Sequence, residues 1–333
     1  MTNSINHLLV ILCFQILAFQ SFGQTITNVF SRQTGNTIEV AYTLSTTSPC
    51  EIALYVSLDG GTTWKGPLTK VQGDVGKNIA AGKHTITWQV LEELEELSSD
   101  NIKFKVESVV KKAFEPEMVL VEGCKFMMGG NNGLDREKPI HEVELSTFYI
   151  GKYEVTQLQW KALMGHNPSK FKDCDECPVE SLTWLDAQEF IAKLNQETGM
   201  EYRLPTEAEW EFAARGGTKS RGFIYSGSNA HNEVAWCYSA NSTLPVGRKR
   251  ANELGVFDMS GNIWEWCNDW YGPYSGAFSR DPQGAISGQY RILRGGSWNM
   301  TYVNLSVTYR EFFAPNNGFY GGSGFRLALT PKL

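Results

Sequence analysis

The side chains most able to do redox or metal chemistry in this 333-residue chain are seven cysteines and five histidines. Two of the cysteines form a single C-x-x-C motif, "CDEC", from Cys174 to Cys177. A zinc site would need a second pair of ligands. The histidines do not supply one, because they are scattered along the chain, at His7, His84, His141, His166 and His231. The motif therefore predicts a local disulfide, with zinc as the alternative.

The stretch "RGGSWNMTYVNLSVTYR", from Arg294 to Arg310, begins like the frame of an active site but contains no Cys, His or Asp. Ser297 could act as a nucleophile only with a His base and an orienting acid, and the sequence offers no recognisable pairing. A second stretch, "GGTKS" at 216–220, lacks the upstream glycine and the preceding strand of a phosphate loop. Residue types alone therefore assign no reaction to either stretch.

Helices with clear start and stop signals are predicted before the stretch from Arg294 to Arg310. "TWLDAQEFIAKLNQETG" has apolar residues at helical spacing, with Thr183 as the N-cap and Gly199 as the terminator. "LPTEAEWEFAARGG" offers Thr206 and Glu209 as a capping box. Because these helices stand in a longer chain rich in Gly, Trp and Tyr, we expect an α+β domain with little regular secondary structure.

Short β-branched runs separated by turns fill the region from 24 to 108 and predict an all-β sandwich of immunoglobulin or fibronectin type. Ile38, Val40, Tyr42 and Leu44 alternate as in a strand with one buried face. "SLDGGTTW", at 57–64, matches the Asp-box hairpin, a structural device. Residues 109–117 are charged, contain a proline and are predicted to be a linker. The second domain is predicted over residues 118–333.

The first 23 residues are interpreted as a signal peptide, because an apolar run is followed by small residues that suit cleavage. The alternative is a buried or interfacial segment. No second apolar stretch of spanning length follows, so we expect an exported protein that is not transmembrane after cleavage and is periplasmic, cell-surface or extracellular. An oxidising location permits disulfides, but the sequence does not fix the pairing of the remaining cysteines, Cys50, Cys124, Cys237 and Cys267. The net charge of −6 argues against a nucleic-acid partner.

Eight ordered motifs give the second domain a family resemblance. They are "MVLVEGCKFMMG", "FYIGKYEVTQLQW", "NPS", "PVESLTWLDAQEF", "YRLPTEAEWEFAARGG", "GVFDMSGNIWEW", "RILRGGSW" and "GFRLAL". In this order they resemble the sulfatase-modifying-factor family, the formylglycine-generating-enzyme-like proteins, over roughly residues 118–330. The resemblance implies a compact variant of the C-type lectin fold.

The resemblance also implies where a redox centre would lie. In the oxidases of this family, two cysteines beyond Gly-Gly-Ser bind copper and convert a sulfatase cysteine to formylglycine. When that motif is set on Gly295, Gly296 and Ser297, the two positions fall on Met300 and Leu305. Neither side chain can form the metal thiolate that the oxidation needs. We therefore expect a degenerate site, at Ser297, Met300 and Leu305, that holds no copper.

A calcium loop is a further implication of the resemblance. "DMSGNIWEW" matches the family's loop, in which the side chains of Asp258 and Glu265 would combine with the carbonyls of Gly261 and Ile263, a set of hard oxygens that suits Ca²⁺. The alternative is a turn pinned by tryptophans, with no bound ion.

The functional hypothesis is a secreted or envelope-associated binding or assembly protein with an unknown protein or glycan ligand. One alternative is a protein-modifying oxidase of the same family with divergent chemistry. Another is a carbohydrate-binding protein, suggested by the high aromatic content and the sandwich. All three predict an exposed aromatic groove, and fold resemblance alone cannot choose among them.

Overall fold

The structure, a computed structural model, describes residues 24–46, 50–93, 99, 101–109, 113–131, 133–238 and 241–331. The chain divides into two compact units, residues 1–112 and 113–333, and the division falls inside the segment predicted to be a linker. The predicted signal peptide, residues 1–23, lies outside the described residues. In the described part of the chain, no helix is both long and apolar enough to cross a membrane.

The first unit consists of two antiparallel sheets that enclose one apolar cluster, an arrangement of the sandwich type. Its sheets have the strand orders β1-β2-β6-β4 and β5-β3-β7. The elements are β1 (Thr25–Thr34), β2 (Thr37–Ser45), β3 (Cys50–Ser57), β4 (Val71–Gly73), β5 (Gly76–Ile79), β6 (Gly82–Gln89), the one-turn helix α1 (Val90–Glu93) and β7 (Lys103–Val109). The predicted alternation is confirmed, since Ile38, Val40, Tyr42 and Leu44 of β2 are all buried.

The Asp-box hairpin follows β3. The carboxylate of Asp59 accepts hydrogen bonds from the backbone N–H of Thr62 and from the N–H and hydroxyl of Thr63. These bonds, chiefly those from Thr63, hold the pKa of Asp59 below its ordinary value. Because the oxygens of Asp59 are used within the turn, its role is structural.

The second unit contains three small sheets, with strand orders β14-β10-β9, β12-β18-β11-β8 and β16-β15-β13-β17. Its strands are β8 (Met118–Val121), β9 (Lys125–Met128), β10 (His141–Glu144), β11 (Phe148–Gly151), β12 (Tyr202–Arg203), β13 (Trp264–Trp270), β14 (Ser279–Arg280), β15 (Arg291–Arg294), β16 (Arg310–Phe313), β17 (Ser323–Gly324) and β18 (Ala328–Leu329). Its helices are α2 (Gln157–Met164), α3 (Trp184–Thr198), α4 (Glu207–Ala214) and α5 (His231–Val234), with 3₁₀ turns at Asp135–Glu137, Gly217–Lys219 and Tyr302–Leu305. Strands and helices are mixed along the chain, so the predicted α+β class is confirmed.

The helix signals read from the sequence are those that the structure uses. The Thr183 hydroxyl accepts a hydrogen bond from the N–H of Asp186, and Gly199 ends α3 in the left-handed conformation. The apolar face of α3 is buried as predicted, at Ala187, Phe190, Ile191 and Leu194. The capping box of Thr206 and Glu209 starts α4. The helix α4 is buried along its whole length and packs against β9, β13 and β15, which places its acidic side chains inside the domain.

Candidate functional site

The Gly-Gly-Ser segment is a tight turn at the end of β15. Gly295 and Gly296 both have positive φ, 91° and 79°, which favours glycine. A Cβ on Gly296 would lie 2.9 Å from the carbonyl oxygen of Asn304. The second glycine is therefore needed for conformation and for space, because the turn presses directly on the 3₁₀ turn at Tyr302–Leu305.

A network of buried ion pairs between arginine and glutamate side chains holds this turn in place. Arg294, whose side chain is 0% exposed, donates to Glu207 Oε1 at 2.9 Å and to Glu211 Oε2 at 2.7 Å. Arg310 binds both oxygens of Glu207, at 2.7 and 2.6 Å. Burial alone would lower the pKa of Arg294, but the charges of Glu211 and Glu207 raise it above its ordinary value. The network joins α4 to β15 and β16, so it fixes the position of the turn.

A second buried pair fixes the loop that faces the turn. Arg326 binds both oxygens of Glu265, at 2.6 and 2.7 Å, and Trp210 donates its indole N–H to Glu265 Oε2 at 2.7 Å. The loop that leads into Glu265 is tied to the turn itself, because the N–H of Gly261 donates to the carbonyl of Gly295 at 2.8 Å. The "DMSGNIWEW" and "RGGSW" motifs thus form one rigid unit.

The three residues of the predicted degenerate site lie together in the structure. The Ser297 hydroxyl is buried and donates to Asn299 Oδ1 at 2.7 Å. Its hydrogen-bond partners in the described part of the chain include no histidine. Leu305 is fully buried and Met300 packs against the same apolar cluster, whose other members are Tyr225, Val234, Ala235 and Cys237. The two positions on which the resemblance sets the cysteine pair are therefore in apolar packing.

An open groove with a volume of about 880 Å³ runs beside this cluster. It is lined by residues 302–304 and 306–309, by residues 222–225 and by a glycine-rich segment that starts at Gly129. Its rim carries exposed apolar side chains, among them Tyr302 at 57% and Val303 at 61% exposure. The His231 ring stacks on Tyr302 at 5.6 Å. The volume falls in the range of about 300–1,000 Å³ that is typical of ligand sites.

A family model described as the sulfatase-modifying factor enzyme 1-like domain matches residues 104–331, which is more than half of the chain. The chain belongs to the sulfatase-modifying factor family. Solved structures of the same fold include Treponema denticola variable protein 1, with a TM-score of 0.60 and 31% identity over 64% of this chain and 95% of that one. PvdO from Pseudomonas aeruginosa has a TM-score of 0.57 and 26% identity over 65% of this chain and 95% of that one.

The relatives of this chain have names that state different activities. Chaperone protein LppX of Paenibacillus barcinonensis is 36% identical over 266 residues, which cover 64% of this chain and 89% of the relative. Serine/threonine-protein kinase pkn1 of Chlamydia caviae is 32% identical over 269 residues, 72% of this chain and 42% of the kinase. The formylglycine-generating enzyme of Streptomyces coelicolor is 36% identical over 176 residues, 47% of this chain and 54% of the enzyme. Membership of the family therefore does not by itself fix an activity.

The described cysteines of the sulfatase-modifying factor domain include one bonded pair. Cys174 and Cys177 form a disulfide. Among the described residues, Cys50 of the first unit and Cys124, Cys237 and Cys267 form no disulfide. Cys267 is fully buried in the core, where burial, then the charges of Asp269 and Glu207, raise the pKa of its thiol well above the ordinary value. Cys267 therefore packs as a small apolar side chain and is no substitute for a copper ligand.

Asp258 and Glu265 of the predicted calcium loop are buried and belong to one cluster of acidic side chains. Asp258 Oδ2 accepts a hydrogen bond from the N–H of Gly247 at 2.7 Å, while Oδ1 is buried and has no hydrogen-bond partner among the described residues. Burial raises the pKa of Asp258 to about 6, and the charge of Glu265 also acts in this direction. Glu265 already shares its oxygens with Arg326.

Glu154 is a third acidic residue of this cluster, and it was not singled out from the sequence. It accepts hydrogen bonds from the Asn262 amide at 2.7 Å and from the N–H of Ile263 at 3.2 Å. Burial, followed by the charges of Asp258 and Glu265, raises its pKa well above the ordinary value. Glu154 lies inside the "YEVTQ" motif, so its place in a family motif was the signal that could have found it.

Proposed function

We propose that this chain is an exported binding or assembly protein whose sulfatase-modifying factor domain works without a copper-bound cysteine pair. The observation that carries the proposal is the apolar cluster around Met300 and Leu305, the two positions on which the resemblance sets the copper-binding cysteines. A thioether and a branched alkyl group cannot supply the thiolates of that centre. The name of one relative, chaperone protein LppX, agrees with an assembly role.

The proposed binding surface is the groove beside Tyr302, and its proposed occupant is an extended segment of a partner protein. Exposed apolar residues on the rim, such as Ile224 and Leu134, would bind apolar side chains of that segment. Glu137 is the acidic residue that lines the groove. Its carboxylate is already used within the domain, because it accepts hydrogen bonds from the N–H of Leu134 and the hydroxyl of Thr308.

The proposed location is outside the cytoplasm. It is supported by the apolar N-terminal segment of the sequence, and the Cys174–Cys177 disulfide suits an oxidising compartment. The chain's net charge of −6 gives no support to a nucleic-acid partner.

Calcium is the proposed cofactor of this domain, held by the side chains of Asp258 and Glu265 and the carbonyls of Gly261 and Ile263. Two features of the cluster fit a cation. Asp258 Oδ1 is a buried acceptor without a partner, and a calcium ion would supply one. Three carboxyl groups, including that of Glu154, share the single guanidinium of Arg326, so a divalent ion would balance their charge. Among the described residues, no three His, Cys, Asp or Glu side chains form a metal-binding group, so backbone carbonyls must complete the site.

Site-specific photo-crosslinking tests the groove. A benzophenone side chain at Val303 should crosslink to a discrete partner polypeptide in producing cells, while one at Tyr320, which is more exposed but lies outside the groove, should not. Ile224→Asp should weaken capture of that partner by about tenfold or more, because it would place a charge against the apolar side chains of the partner. Equal crosslinking from both positions, or capture that is indifferent to Ile224→Asp, would contradict the proposal.

A further inference from the structure

A second cavity, of about 310 Å³, lies elsewhere in the sulfatase-modifying factor domain and shares no lining residue with the groove. It is formed where β13 ends at Trp270, beside the start of α4 and the loop at 272–285. Its volume is at the lower end of the range for ligand pockets, about 300 Å³, which leaves room for a single small ring. Its walls are partly apolar, with Met128, Ala208 and Ala285 among the lining residues.

Asp269 supplies a free polar group to this cavity. Its side chain belongs to a residue only 3% exposed, and its one hydrogen bond in the described part of the chain joins Oδ2 to the N–H of Glu207 at 2.9 Å. Oδ1 lies against Gly284, since a Cβ added to that glycine would be 2.9 Å from it. Burial, then the charge of Glu207, raises the pKa of Asp269 to about 8, so at neutral pH this carboxyl is protonated and can donate a hydrogen bond.

His141 supplies an acceptor to the same cavity. Its Nδ1 lies 3.0 Å from the carbonyl oxygen of Pro139, and because a carbonyl only accepts, Nδ1 carries the proton. In the tautomer that carries its proton on Nδ1, Nε2 has a lone pair, and no hydrogen bond joins Nε2 to a described residue. The ring is held against Tyr274, at 4.6 Å between centroids, so the position of this acceptor is fixed.

The charged groups at this cavity balance one another. Glu207 and Arg310 bind each other through two hydrogen bonds, and Tyr274 donates to Glu207 Oε1 at 3.2 Å. Arg310 also donates to the carbonyl oxygens of Arg136 and Gly272. Since the ions are already paired, neither an anion nor a cation would find an unpaired partner. A donor and an acceptor remain free, between apolar walls.

We propose that this cavity binds one neutral, polyhydroxylated ring of the size of a single sugar residue, with Asp269 and His141 as its polar contacts. Each hydroxyl of such a ring can accept from one protein group and donate to another, which matches the free carboxyl and the free imidazole nitrogen. The C–H faces of the ring suit the apolar walls. This site is separate from the groove, so its ligand is independent of the proposed protein partner.

Ligand-observed NMR on the full-length exported protein tests this proposal with free glucose, galactose, mannose and N-acetylglucosamine as probes. At least one of them should bind with a dissociation constant in the range of about 1 mM. Cyclohexanol, methylammonium and acetate, which offer one hydroxyl or a charge, should not compete. Asp269→Ala and His141→Phe should each weaken binding by about tenfold, because each removes one hydrogen bond to the ring.

Three further variants separate a lost contact from a lost fold. Asp269→Asn should retain binding, since the amide can accept from the N–H of Glu207 and donate to the sugar as the protonated acid does. Ala285→Trp, in the surface loop, should abolish binding by filling the cavity. His166→Phe is the matched control, because His166 makes the same contact to a carbonyl two residues earlier but is exposed and outside the cavity. The proposal is overturned if no sugar binds, if Ala285→Trp leaves binding unchanged, or if methylammonium or acetate binds in an Asp269-dependent way instead.

Discussion

Replacement of Arg294 by methionine is expected to lower the free energy of unfolding of the second unit by about 3–5 kcal/mol, because it removes a fully buried cation that pairs with two buried carboxylates. Glu211 and Glu207 are the partners of Arg294, and both are almost fully buried. Arg310 and Arg215 would still pair with them, but neither can occupy the position under the Gly-Gly-Ser turn. Urea unfolding followed by tryptophan fluorescence measures the change.

Arg280→Met is the matched control for this experiment. Arg280 also pairs with a glutamate, Glu144, but its side chain is 66% exposed. Exposed ion pairs contribute about 0–1 kcal/mol, so the loss should be small. If both variants lost the same stability, or if Arg294→Met lost less than about 1 kcal/mol, the buried network would not be what fixes the turn.

Calcium is expected to stabilise the second unit by about 2.7 kcal/mol once the free ion reaches roughly a hundred times its dissociation constant. The physical reason is the excess of buried negative charge around Asp258, Glu154 and Glu265 over Arg326. Asp258→Asn should abolish this gain while the first unit melts unchanged. Asparagine is suited to the left-handed backbone at this position, where φ is 57°, and it retains an oxygen for the N–H of Gly247.

Asp258→Asn is the diagnostic variant because Glu265→Ala would also strip Arg326 of its partner and destabilise the fold without any ion. Asp281→Asn is its matched control. Asp281 has a positive φ as well, and it binds Ser146 at the surface, away from the cluster. Equal melting temperatures in excess calcium and after exhaustive chelation would show that "DMSGNIWEW" is a structural turn without a bound ion.

Local features of the fold could be predicted from the sequence because neighbours in the chain determine them. The apolar spacing of α3, its Thr183 cap and its Gly199 end are all set within one segment. The same is true of β2, whose alternating side chains face the sandwich core. The motifs of the second domain identified the family for a related reason, since each is a short run with its own turn or helix start.

The groups that give the candidate sites their chemistry could not be predicted in this way, because distant segments bring them together. Arg294 meets Glu207 across 87 positions of sequence. Asp269 and Glu154 look like ordinary acidic residues in the sequence, and only burial among other carboxyl groups raises their pKa values. The apolar surroundings of Leu305 likewise come from the segment at 225–237, which the sequence does not mark as a neighbour.

The most direct test of the central claim is a copper and oxidation assay on the purified full-length protein. The protein is incubated with Cu(I), freed of unbound metal, and then given a sulfatase-type cysteine peptide under oxygen. Because Met300 and Leu305 pack in an apolar cluster, we expect no stoichiometric copper and no formylglycine, and the double variant Met300→Cys, Leu305→Cys should gain copper relative to the wild-type protein. Stoichiometric copper in the wild-type protein, together with oxidation of the peptide, would contradict the claim and make this chain an oxidase.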